Sequence, residues 1–330
     1  MWTMPPEWQP HTATWMGFPT SAYDTAGVSD DEVFDAWSTV ANTISEHEPV
    51  HMLCHPRRLT IAQKKVSSAV TLHAFEIDDA WMRDSGPTFV MGEQGLGGVD
   101  WIFNGWGDHT EFDWSQDAKV ASHIIELTGS KRLGSDLVNE GGGIHVNGHG
   151  DVLLTRTVQL DSGRNPSATE DTVEAEVHQK LGTERAIWFD RGLWRDYQDH
   201  GTRGHVDMIA TFVPDGSVLL HRQFDTNHPD NLLWQDHYRT LEAAGLKVRA
   251  LPAPQVARDN IGWVDYSYVN HYVGNGFVLL PAFNDRSDEH ALEILRDLYH
   301  DRHVTNLDAR VLFAMGGGIH CITQQEPALP

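Results

Sequence analysis

The sequence predicts an α/β protein in which a module of hairpin, helix and strand is repeated and the repeats close into a ring. Three observations support this fold class: hairpin patterns recur along the chain, helical periodicity lies between them, and a further apolar run follows most of the helices. Modules of this kind can close radially, and closure removes exposed sheet edges. A closed ring would place the strand ends of distant modules around one axis, where they can share a cavity.

The predicted hairpins each contain an apolar run, a turn rich in Gly, Asn or Asp, and a second apolar run. Their turns are roughly 50 to 70 residues apart, which is long enough for one multi-element module per repeat. The pattern occurs in segments 87–103, 143–155, 207–222 and 268–283.

Helical periodicity is found between these hairpins. Residues 114–132 combine apolar residues at helical spacing with a glycine near the end of the segment, which is typical of a helix terminus. Segments 31–54, 231–251 and 287–308 each predict a helix that leads into a strand, with Ser287 as an N-cap candidate. The hairpin, helix and strand unit is therefore expected four or five times.

Charge and cysteine content narrow the functional classes. The formal net charge of −23 disfavours nucleic acid as a partner and suits a small cationic substrate, although an acidic surface also keeps proteins soluble. No apolar run is long enough for a membrane span, and the segment MWTMPPEWQP lacks the features of a signal peptide. With only Cys54 and Cys321 present, we expect a reduced, cytoplasmic protein in which Cys54 is a buried strand residue.

The pentapeptide Gly-Gly-Gly-Ile-His occurs twice, at 141–145 and 316–320, and only the second copy is followed by a cysteine, Cys321. Glycine permits unusual dihedral angles and a close approach of the backbone to other groups. We therefore expect each copy to lie where a module meets the ring axis. For the first copy, turn formation is expected to be the main role.

Residues capable of catalysis lie at or beside the start of the predicted hairpins and strands; they are Asp84, Glu140, His205, Asp207 and Cys321. A cysteine with a histidine suggests nucleophilic catalysis, because the thiolate is the reactive form and histidine transfers protons near neutral pH. Carboxylates would hinder acyl transfer but suit a planar guanidinium, which pairs with them through two hydrogen bonds. The set predicts attack of the thiolate on a guanidinium carbon, release of ammonia and hydrolysis of the amidino-thioether.

Several segments closely resemble the agmatine deiminase family, which includes the bacterial-type peptidylarginine deiminases and belongs to the guanidine-modifying enzymes. They are DDAWMRDSGPTFV, NEGGGIHVNGHGDVLLT, GHVD, SYVNHYVGNGFVLLPAFND and GGGIHCITQQEP, and the N-terminal MPPEWQPHTATWMGFP is also similar. The similarity extends from about residue 4 to residue 327. It implies a five-bladed, pseudo-symmetric α/β propeller, the pentein fold, built from ββαβ modules as a single catalytic domain over residues 1–330.

The resemblance also implies a role for each candidate residue. Cys321 resembles the nucleophile that forms a covalent amidino-cysteine, and His205 resembles the general acid for ammonia and then the base for water. Glu140 resembles the acid that orients His205 and raises its pKa. Asp84 and Asp207 resemble the two carboxylates that hold the guanidinium, with Asp207 expected on the same strand face as His205. The family uses no metal, and no cofactor is expected.

The substrate follows less directly from the sequence. Agmatine, which gives N-carbamoylputrescine, is the leading substrate, and Trp81 resembles an aromatic residue that lines the substrate channel. The family often has an acidic residue, linked to binding of the amine tail, four places before the histidine of GHxD; this chain has Gly201 there and Arg203 nearby. Arg203 could bind a carboxylate, so free or peptidyl arginine or a guanidino acid is an alternative. Otherwise Arg203 points to solvent or pairs with Asp196 or Asp199.

Two other functional classes stay open at this stage. A metal-dependent hydrolase could use His145, His149, Asp151, His205 and Asp207, although the chain has no HExxH, paired CxxC or HxH motif. A non-catalytic binding ring is the second class, and the intact catalytic set disfavours it. No P-loop motif or clear GxGxxG motif indicates nucleotide binding. The sequence leaves homo-oligomerisation open.

Overall fold

The structure is a computed structural model that describes residues 1–108, 113–198, 201–256, 258–259 and 262–330. Among these residues the strands form five sheets of three or four strands each. The strands are β1 (Trp2–Thr3), β2 (His11–Phe18), β3 (Val50–Cys54), β4 (Val70–Ala74), β5 (Thr88–Gly92), β6 (Gly95–Ile102), β7 (Lys131–Val138), β8 (His145–Val146), β9 (Asp151–Thr155), β10 (Arg185–Phe189), β11 (Ala210–Phe212), β12 (Val218–Arg222), β13 (Val248–Pro252), β14 (Tyr272–Gly274), β15 (Phe277–Ala282), β16 (His303–Asp308) and β17 (Thr323–Pro327).

Helices and short turns connect these strands. The helices are α1 (Asp30–Ser45), α2 (Leu59–Lys65), α3 (Met82–Ser85), α4 (Gly105–Asp108), α5 (Val120–Thr128), α6 (Arg156–Gln159), α7 (Glu170–Leu181), α8 (Leu233–Ala243), α9 (Ser287–Leu298) and α10 (Arg310–Ala314). Short 3-10 turns span Pro56–Arg58, Asp117–Lys119, Gly141–Gly143, Trp194–Tyr197, Val206–Met208 and Pro229–Asn231. No helix in the described ranges is long and apolar enough to cross a membrane.

Each sheet repeats one connection. Two antiparallel strands are followed by a helix, and the helix leads to a third strand that is parallel to the second. The five modules are β5–β6–α5–β7, β8–β9–α7–β10, β11–β12–α8–β13, β14–β15–α9–β16 and β17–β2–α1–β3. β1 and β4 extend two of the sheets at their edges. The four predicted hairpins and the repeated ββαβ module are therefore confirmed.

The fifth module joins distant parts of the chain. β17 pairs antiparallel with β2, with Thr323 opposite Met16 and Gln324 opposite Trp15. No turn connects these two strands, so the pattern that predicts the other hairpins cannot predict this one. The pairing places Cys321, just before β17, next to the segment that leads into the β5–β6–α5–β7 module. In this segment the amide of Arg83 donates to the carbonyl of Cys321 at 3.0 Å.

Local sequence explains where the helices begin. α1 begins after Ser29, whose side chain accepts the Glu32 amide while the Glu32 carboxylate accepts the Ser29 amide, which is a capping box. The prediction that Ser287 is an N-cap was wrong by one residue. α9 begins at Ser287 itself, its cap residue is Arg286, and the Asp285 carboxylate accepts the Ser287 amide.

The modules pack around a large buried core of aliphatic and aromatic side chains. Cys54 lies at the end of β3 and is fully buried within this core, as predicted. Burial raises the pKa of its thiol to about 11, so it remains an uncharged apolar group. The other cysteine lies in a different environment, among charged side chains.

Candidate active site

The five predicted catalytic residues come from four separate segments, and the structure brings them together. Asp84 lies in α3, Glu140 directly precedes the Gly141–Gly143 turn, His205 caps the Val206–Met208 turn, which contains Asp207, and Cys321 precedes β17. All five side chains are buried. These short turns contact one another, so the cluster lies where the modules meet, as the ring prediction requires.

His205 lies between two carboxylates. Its Nε2 is 3.1 Å from Glu140 Oε2, and its Nδ1 is 3.7 Å from Asp84 Oδ1. Burial alone would favour the neutral ring, but Asp84 and Glu140 outweigh burial and raise the pKa of His205 to about 9. The ring is therefore an imidazolium at neutral pH.

Glu140 is held as a carboxylate by Arg164. The Arg164 Nε lies 2.9 and 3.1 Å from the two carboxylate oxygens of Glu140, and both side chains are fully buried. Burial works against ionisation, but the charge of Arg164 and the contact with His205 outweigh it and lower the pKa of Glu140 to about 2. Glu140 thus provides a permanent negative charge behind His205.

The first Gly-Gly-Gly turn holds Asp84. The Gly142 amide donates to Asp84 Oδ1 at 3.0 Å, and the Trp106 indole donates to Oδ2 at 2.9 Å. A Cβ on Gly142 would lie 2.4 Å from His205 Nδ1, so no larger residue fits there. This copy forms the expected turn, and its backbone also contacts the site directly. Burial and the negative charges of Asp207 and Glu140 raise the pKa of Asp84.

Cys321 faces Asp207 and Asn270. Its Sγ lies 3.6 Å from Asp207 Oδ2 and accepts a hydrogen bond from Asn270 Nδ2 at 3.2 Å. Burial, followed by the charges of Asp207 and Asp84, raises the pKa of Cys321 well above its ordinary value. The empty site therefore holds a thiol and not a thiolate. A Cβ on Gly317 would lie 3.1 Å from Sγ, so the second glycine turn leaves the space that the sulfur needs.

The two carboxylate oxygens of Asp207 differ in their hydrogen bonding. Its Oδ2 lies 2.9 Å from His320 Nδ1, whereas its Oδ1 is buried and has no hydrogen-bond partner among the described residues. Burial opposes ionisation, but His320 outweighs it and lowers the pKa of Asp207. The expected shared strand face with His205 was wrong, because Asp207 lies in a 3-10 turn, His205 is the residue that caps this turn, and β11 begins only at Ala210. The turn nevertheless directs both side chains into the cluster.

Trp81 is buried beside the second glycine turn. Its indole donates to the Tyr23 hydroxyl at 2.8 Å, and a Cβ on Gly317 would lie 2.7 Å from its ring. Trp81 thus lies next to Cys321, and its role in lining a channel stays a prediction. A different aromatic residue, Trp106, contacts a candidate substrate-binding carboxylate, and it does so from a left-handed backbone conformation with φ of 59°.

Arg203 lies outside the buried cluster. Its side chain is 48% exposed, and its Nε lies 3.8 Å from Asp161. Its backbone amide donates to the Asp196 carbonyl at 2.9 Å, so the suggested pairing with Asp196 involves the backbone and not the two side chains. Asp199, the other suggested partner, lies outside the described residues.

An acidic cavity of about 460 Å³ borders Gly201 and the second glycine turn at Gly316. Asp196 and Asp265 line it together with Arg195, whose guanidinium pairs with Asp259 at 3.2 Å. Asp196 Oδ2 is buried with no hydrogen-bond partner among the described residues. Burial, followed by the charge of Asp265, raises the pKa of Asp196 well above its ordinary value, and burial raises that of Asp265 to about 6. A Cβ on Gly201 would lie 2.1 Å from the Asp196 carbonyl oxygen, so a side chain at this position would displace the Asp196 backbone.

Several residues of the cluster were not predicted. Asn270, Trp106, Arg164, His320 and Glu7 all contact a predicted residue or one of its partners. Asn270 could have been found, because it lies at the start of the predicted hairpin segment 268–283, as Asp207 does in the segment 207–222. The remaining contacts depend on how distant segments meet, and no local pattern in the sequence marks them.

The candidate ligands of the metal-hydrolase alternative do not assemble. His149 is exposed, Asp151 pairs with Arg185 at 2.7 Å, and His145 Nε2 lies 2.8 Å from the Thr211 hydroxyl. Within the described ranges, no group of three or more His, Cys, Asp or Glu residues is arranged to hold a metal ion.

Comparison with known proteins places the chain in a family. The sequence profile of the Porphyromonas-type peptidyl-arginine deiminases matches residues 3–327. The chain belongs to this family. A Streptomyces coelicolor protein is 50% identical to this chain over 98% of both chains. The agmatine deiminase of Ectopseudomonas mendocina is 34% identical to it over 98% of this chain and 95% of its own.

Solved structures agree with this assignment. The agmatine deiminase of Enterococcus faecalis has a TM-score of 0.91 to this chain at 30% identity, covering 99% of this chain and 96% of that one. Together with the five ββαβ modules, this match confirms the pentein propeller predicted for this member of the peptidyl-arginine deiminase family.

Proposed function

We propose that this chain is a guanidine deiminase, a hydrolase of amidino C–N bonds whose substrate is agmatine. The observation that carries the proposal is a pair of buried carboxylates beside a buried thiol. Asp84 and Asp207 lie in one cluster with Cys321, and Asp207 Oδ1 has no partner among the described residues. Such a cluster is electrostatically unfavourable when empty, and a planar cation with several N–H donors satisfies it.

Substrate binding prepares the nucleophile. A guanidinium held between Asp84 and Asp207 compensates the two charges that raise the pKa of the Cys321 thiol. The thiol proton passes to solvent as the cation binds, because His205 already carries its own proton. The resulting thiolate lies next to the guanidinium carbon, and its attack forms a neutral tetrahedral adduct. The resting thiol thus becomes reactive only when the cation is present.

His205 serves both halves of the reaction. As an imidazolium it donates a proton to the leaving nitrogen, so ammonia departs and an amidino-cysteine cation remains. The ring, now neutral, takes a proton from the water that attacks this intermediate. Collapse of the second adduct breaks the C–S bond and releases the ureido product, and the proton of the adduct hydroxyl passes to the sulfur to restore the thiol. Glu140 supports both steps, because its charge keeps the pKa of His205 high.

The acidic cavity supports a cationic tail on the substrate. Asp196 and Asp265 border Gly201, where the family often has an acidic residue. An ammonium that enters the cavity would compensate the burial and the like charges that raise the pKa of both groups, so they can ionise and pair with it. Arg203, the basis for a carboxylate-bearing substrate, is half-exposed and faces Asp161. Agmatine, with its terminal ammonium, therefore suits this site better than free arginine or a guanidino acid. Its product would be N-carbamoylputrescine, consistent with a cytoplasmic role in polyamine synthesis.

A substrate panel tests this proposal. Ammonia and ureido product are measured with agmatine, free arginine, an arginyl peptide and a guanidino acid, and intact-protein mass spectrometry after acid quench detects the adduct on Cys321. We expect agmatine to exceed the carboxylate-bearing compounds by about 10-fold or more in kcat/KM, since one mispaired buried charge is worth over ~1.4 kcal/mol. If no compound releases ammonia, the deiminase proposal fails; if arginine is preferred, only the assignment of the tail fails.

A further inference from the structure

His320, the last residue of the second Gly-Gly-Gly-Ile-His copy, is buried between two carboxylates. Its Nδ1 lies 2.9 Å from Asp207 Oδ2, and its Nε2 lies 2.8 Å from Glu7 Oε1. Its backbone amide donates to Asn270 Oδ1 at 3.0 Å, and Asn270 also donates to the sulfur of Cys321. The ring of His320 is thus fixed in place on the inner side of the catalytic cluster.

This geometry determines the protonation of the ring. An ionised carboxylate only accepts hydrogen bonds, and a neutral imidazole has only one N–H. Two ring nitrogens that each face a carboxylate within 3 Å therefore need two N–H groups, which only the imidazolium has. A neutral ring would leave one buried lone pair against another, which is unfavourable for a side chain that is buried as fully as His320.

We propose that His320, kept as an imidazolium by Glu7, is a positioning residue that fixes the charge and orientation of the substrate-binding carboxylate of Asp207. Its N–H occupies Oδ2, so the vacant Oδ1 is the oxygen left for the guanidinium. This inference rests on the proposed function, because it assigns Asp207 to the guanidinium. Neither His320 nor Glu7 need touch the substrate.

The electrostatics of the surrounding groups agree with this arrangement. Arg83 Nη1 lies 3.5 Å from Glu7 Oε1, and its Nε donates to the His320 carbonyl at 3.3 Å; His271 is a further titratable group whose pKa responds to His320. Burial and Arg83 oppose protonation of His320, but Glu7 and Asp207 outweigh them and raise its pKa. Burial also opposes ionisation of Glu7, yet His320 and Arg83 lower its pKa well below the ordinary value.

The first copy of the pentapeptide provides a matched control. His145 occupies the same place in its copy, and its Nε2 lies 3.7 Å from the other oxygen of Glu7. Its close hydrogen-bond partner is the Thr211 hydroxyl at 2.8 Å, and among the described residues it forms no ion pair with Asp84, Glu140 or Asp207. His145 therefore shares the Glu7 contact and the buried surroundings of His320 but lacks the contact with Asp207.

Steady-state kinetics of His320→Gln, Glu7→Gln and His145→Gln test the proposal with agmatine. We expect His320→Gln to lower kcat/KM by roughly 10- to 100-fold, as for loss of a hydrogen bond between charged groups. Glu7→Gln should lower kcat/KM more at pH 9 than at pH 7, because His320 then loses its proton more easily. His145→Gln should stay within about 3-fold of the wild type. Wild-type kcat/KM in His320→Gln, or an equal loss in His145→Gln, would overturn the proposal.

A spectroscopic measurement separates this inference from the proposed function. In protein with ¹⁵N-labelled histidine, the two ring nitrogens of His320, assigned by the loss of their signals in His320→Gln or in His320→Asn, should both be protonated at pH 8. In Glu7→Gln the neutral ring should appear at that pH. A neutral His320 ring in the wild type would contradict the inference even if agmatine is hydrolysed. If His320 is an imidazolium but the protein hydrolyses no guanidine, the protonation of His320 would be confirmed and only the proposed deiminase function would be contradicted.

Discussion

In the first copy of Gly-Gly-Gly-Ile-His, the glycines form a 3-10 turn, the preceding Glu140 contacts His205, and the Gly142 amide binds Asp84. In the second copy the first glycine adopts φ of 111°, and the residue that follows the histidine is Cys321. The two copies thus have one sequence and different backbones. The residues that flank the two copies therefore determine what each copy contributes. Glu140, before the first copy, contacts the candidate acid His205, and Cys321, after the second copy, is the candidate nucleophile.

Loss of the nucleophile should have the largest effect. Cys321→Ser is expected to lower kcat by roughly 10⁴-fold or more, because the covalent intermediate cannot form. The thermal unfolding midpoint should change little, since the substitution nearly preserves volume. Ammonia release and the unfolding midpoint are the two measurements. Substantial turnover in the folded variant would mean that the second copy does not carry the nucleophile.

The next effect distinguishes the two glycine turns. Gly142→Ala would place a Cβ 2.4 Å from His205 Nδ1, and we expect a loss of about 100-fold in kcat because the acid is displaced. Gly317→Ala meets Trp81 at 2.7 Å and Sγ at 3.1 Å, so it should instead slow alkylation of Cys321 by iodoacetamide. Gly134→Ala, which meets nothing within 4 Å, is the control. If all three variants have the same kcat and the same rate of Cys321 alkylation, the two glycine turns do not have different roles.

A smaller effect is expected on the pH dependence of kcat, and it tests the pairing of His205 with Glu140. The pKa of His205 is raised to about 9, so the imidazolium that donates to ammonia is present below that pH and lost above it. Glu140→Gln removes one of the charges that raise this pKa, so the alkaline limb of the kcat profile should move to lower pH. At pH 8 we expect about 10-fold lower kcat relative to the value at pH 6.5. An unshifted alkaline limb would show that Glu140 does not control His205.

The smallest effect concerns the cavity that borders the second copy at Gly316. Asp196→Asn should raise KM for agmatine by about 3- to 10-fold, within the range for one partly compensated charge, and should leave a guanidine without an amine tail unaffected. Arg203→Gln, the variant of the exposed cation nearby, should change KM by less than about 3-fold. If Arg203→Gln changes KM more than Asp196→Asn does, a substrate that bears a carboxylate becomes the better assignment.

Local patterns were sufficient to predict much of the molecule. The hairpins in 87–103 and 268–283 follow from alternation and turn residues, which act within a few positions, and the catalytic set follows from residue types at the starts of the strands. The pairing of β17 with β2 and the contact of Arg164 with Glu140 depend on distant segments, so no local signal marks them. The His205 and Asp207 turn was missed because GHVD alone does not distinguish a short strand from a 3-10 turn.

The substrate assignment shows a second limit. Gly201 and Arg203 suggested that the site had lost its acidic character, yet Asp196 supplies a buried carboxylate from the same loop. A sequence comparison position by position cannot detect this arrangement, because Asp196 reaches the cavity beside Gly201 through the fold and not through the aligned position. That the chain forms one domain and acts in the cytoplasm remains a prediction.

The acid cluster has a consequence for how this protein tolerates change. Arg164 and His205 compensate the charge of Glu140, and His320 compensates that of Asp207. Burial and the charges of Asp207 and Glu140 instead raise the pKa of Asp84, so keeping Asp84 ionised costs part of the folding free energy. Neutralising Asp84 should therefore give a more heat-resistant and inactive protein, and selection for robustness alone would erode the site.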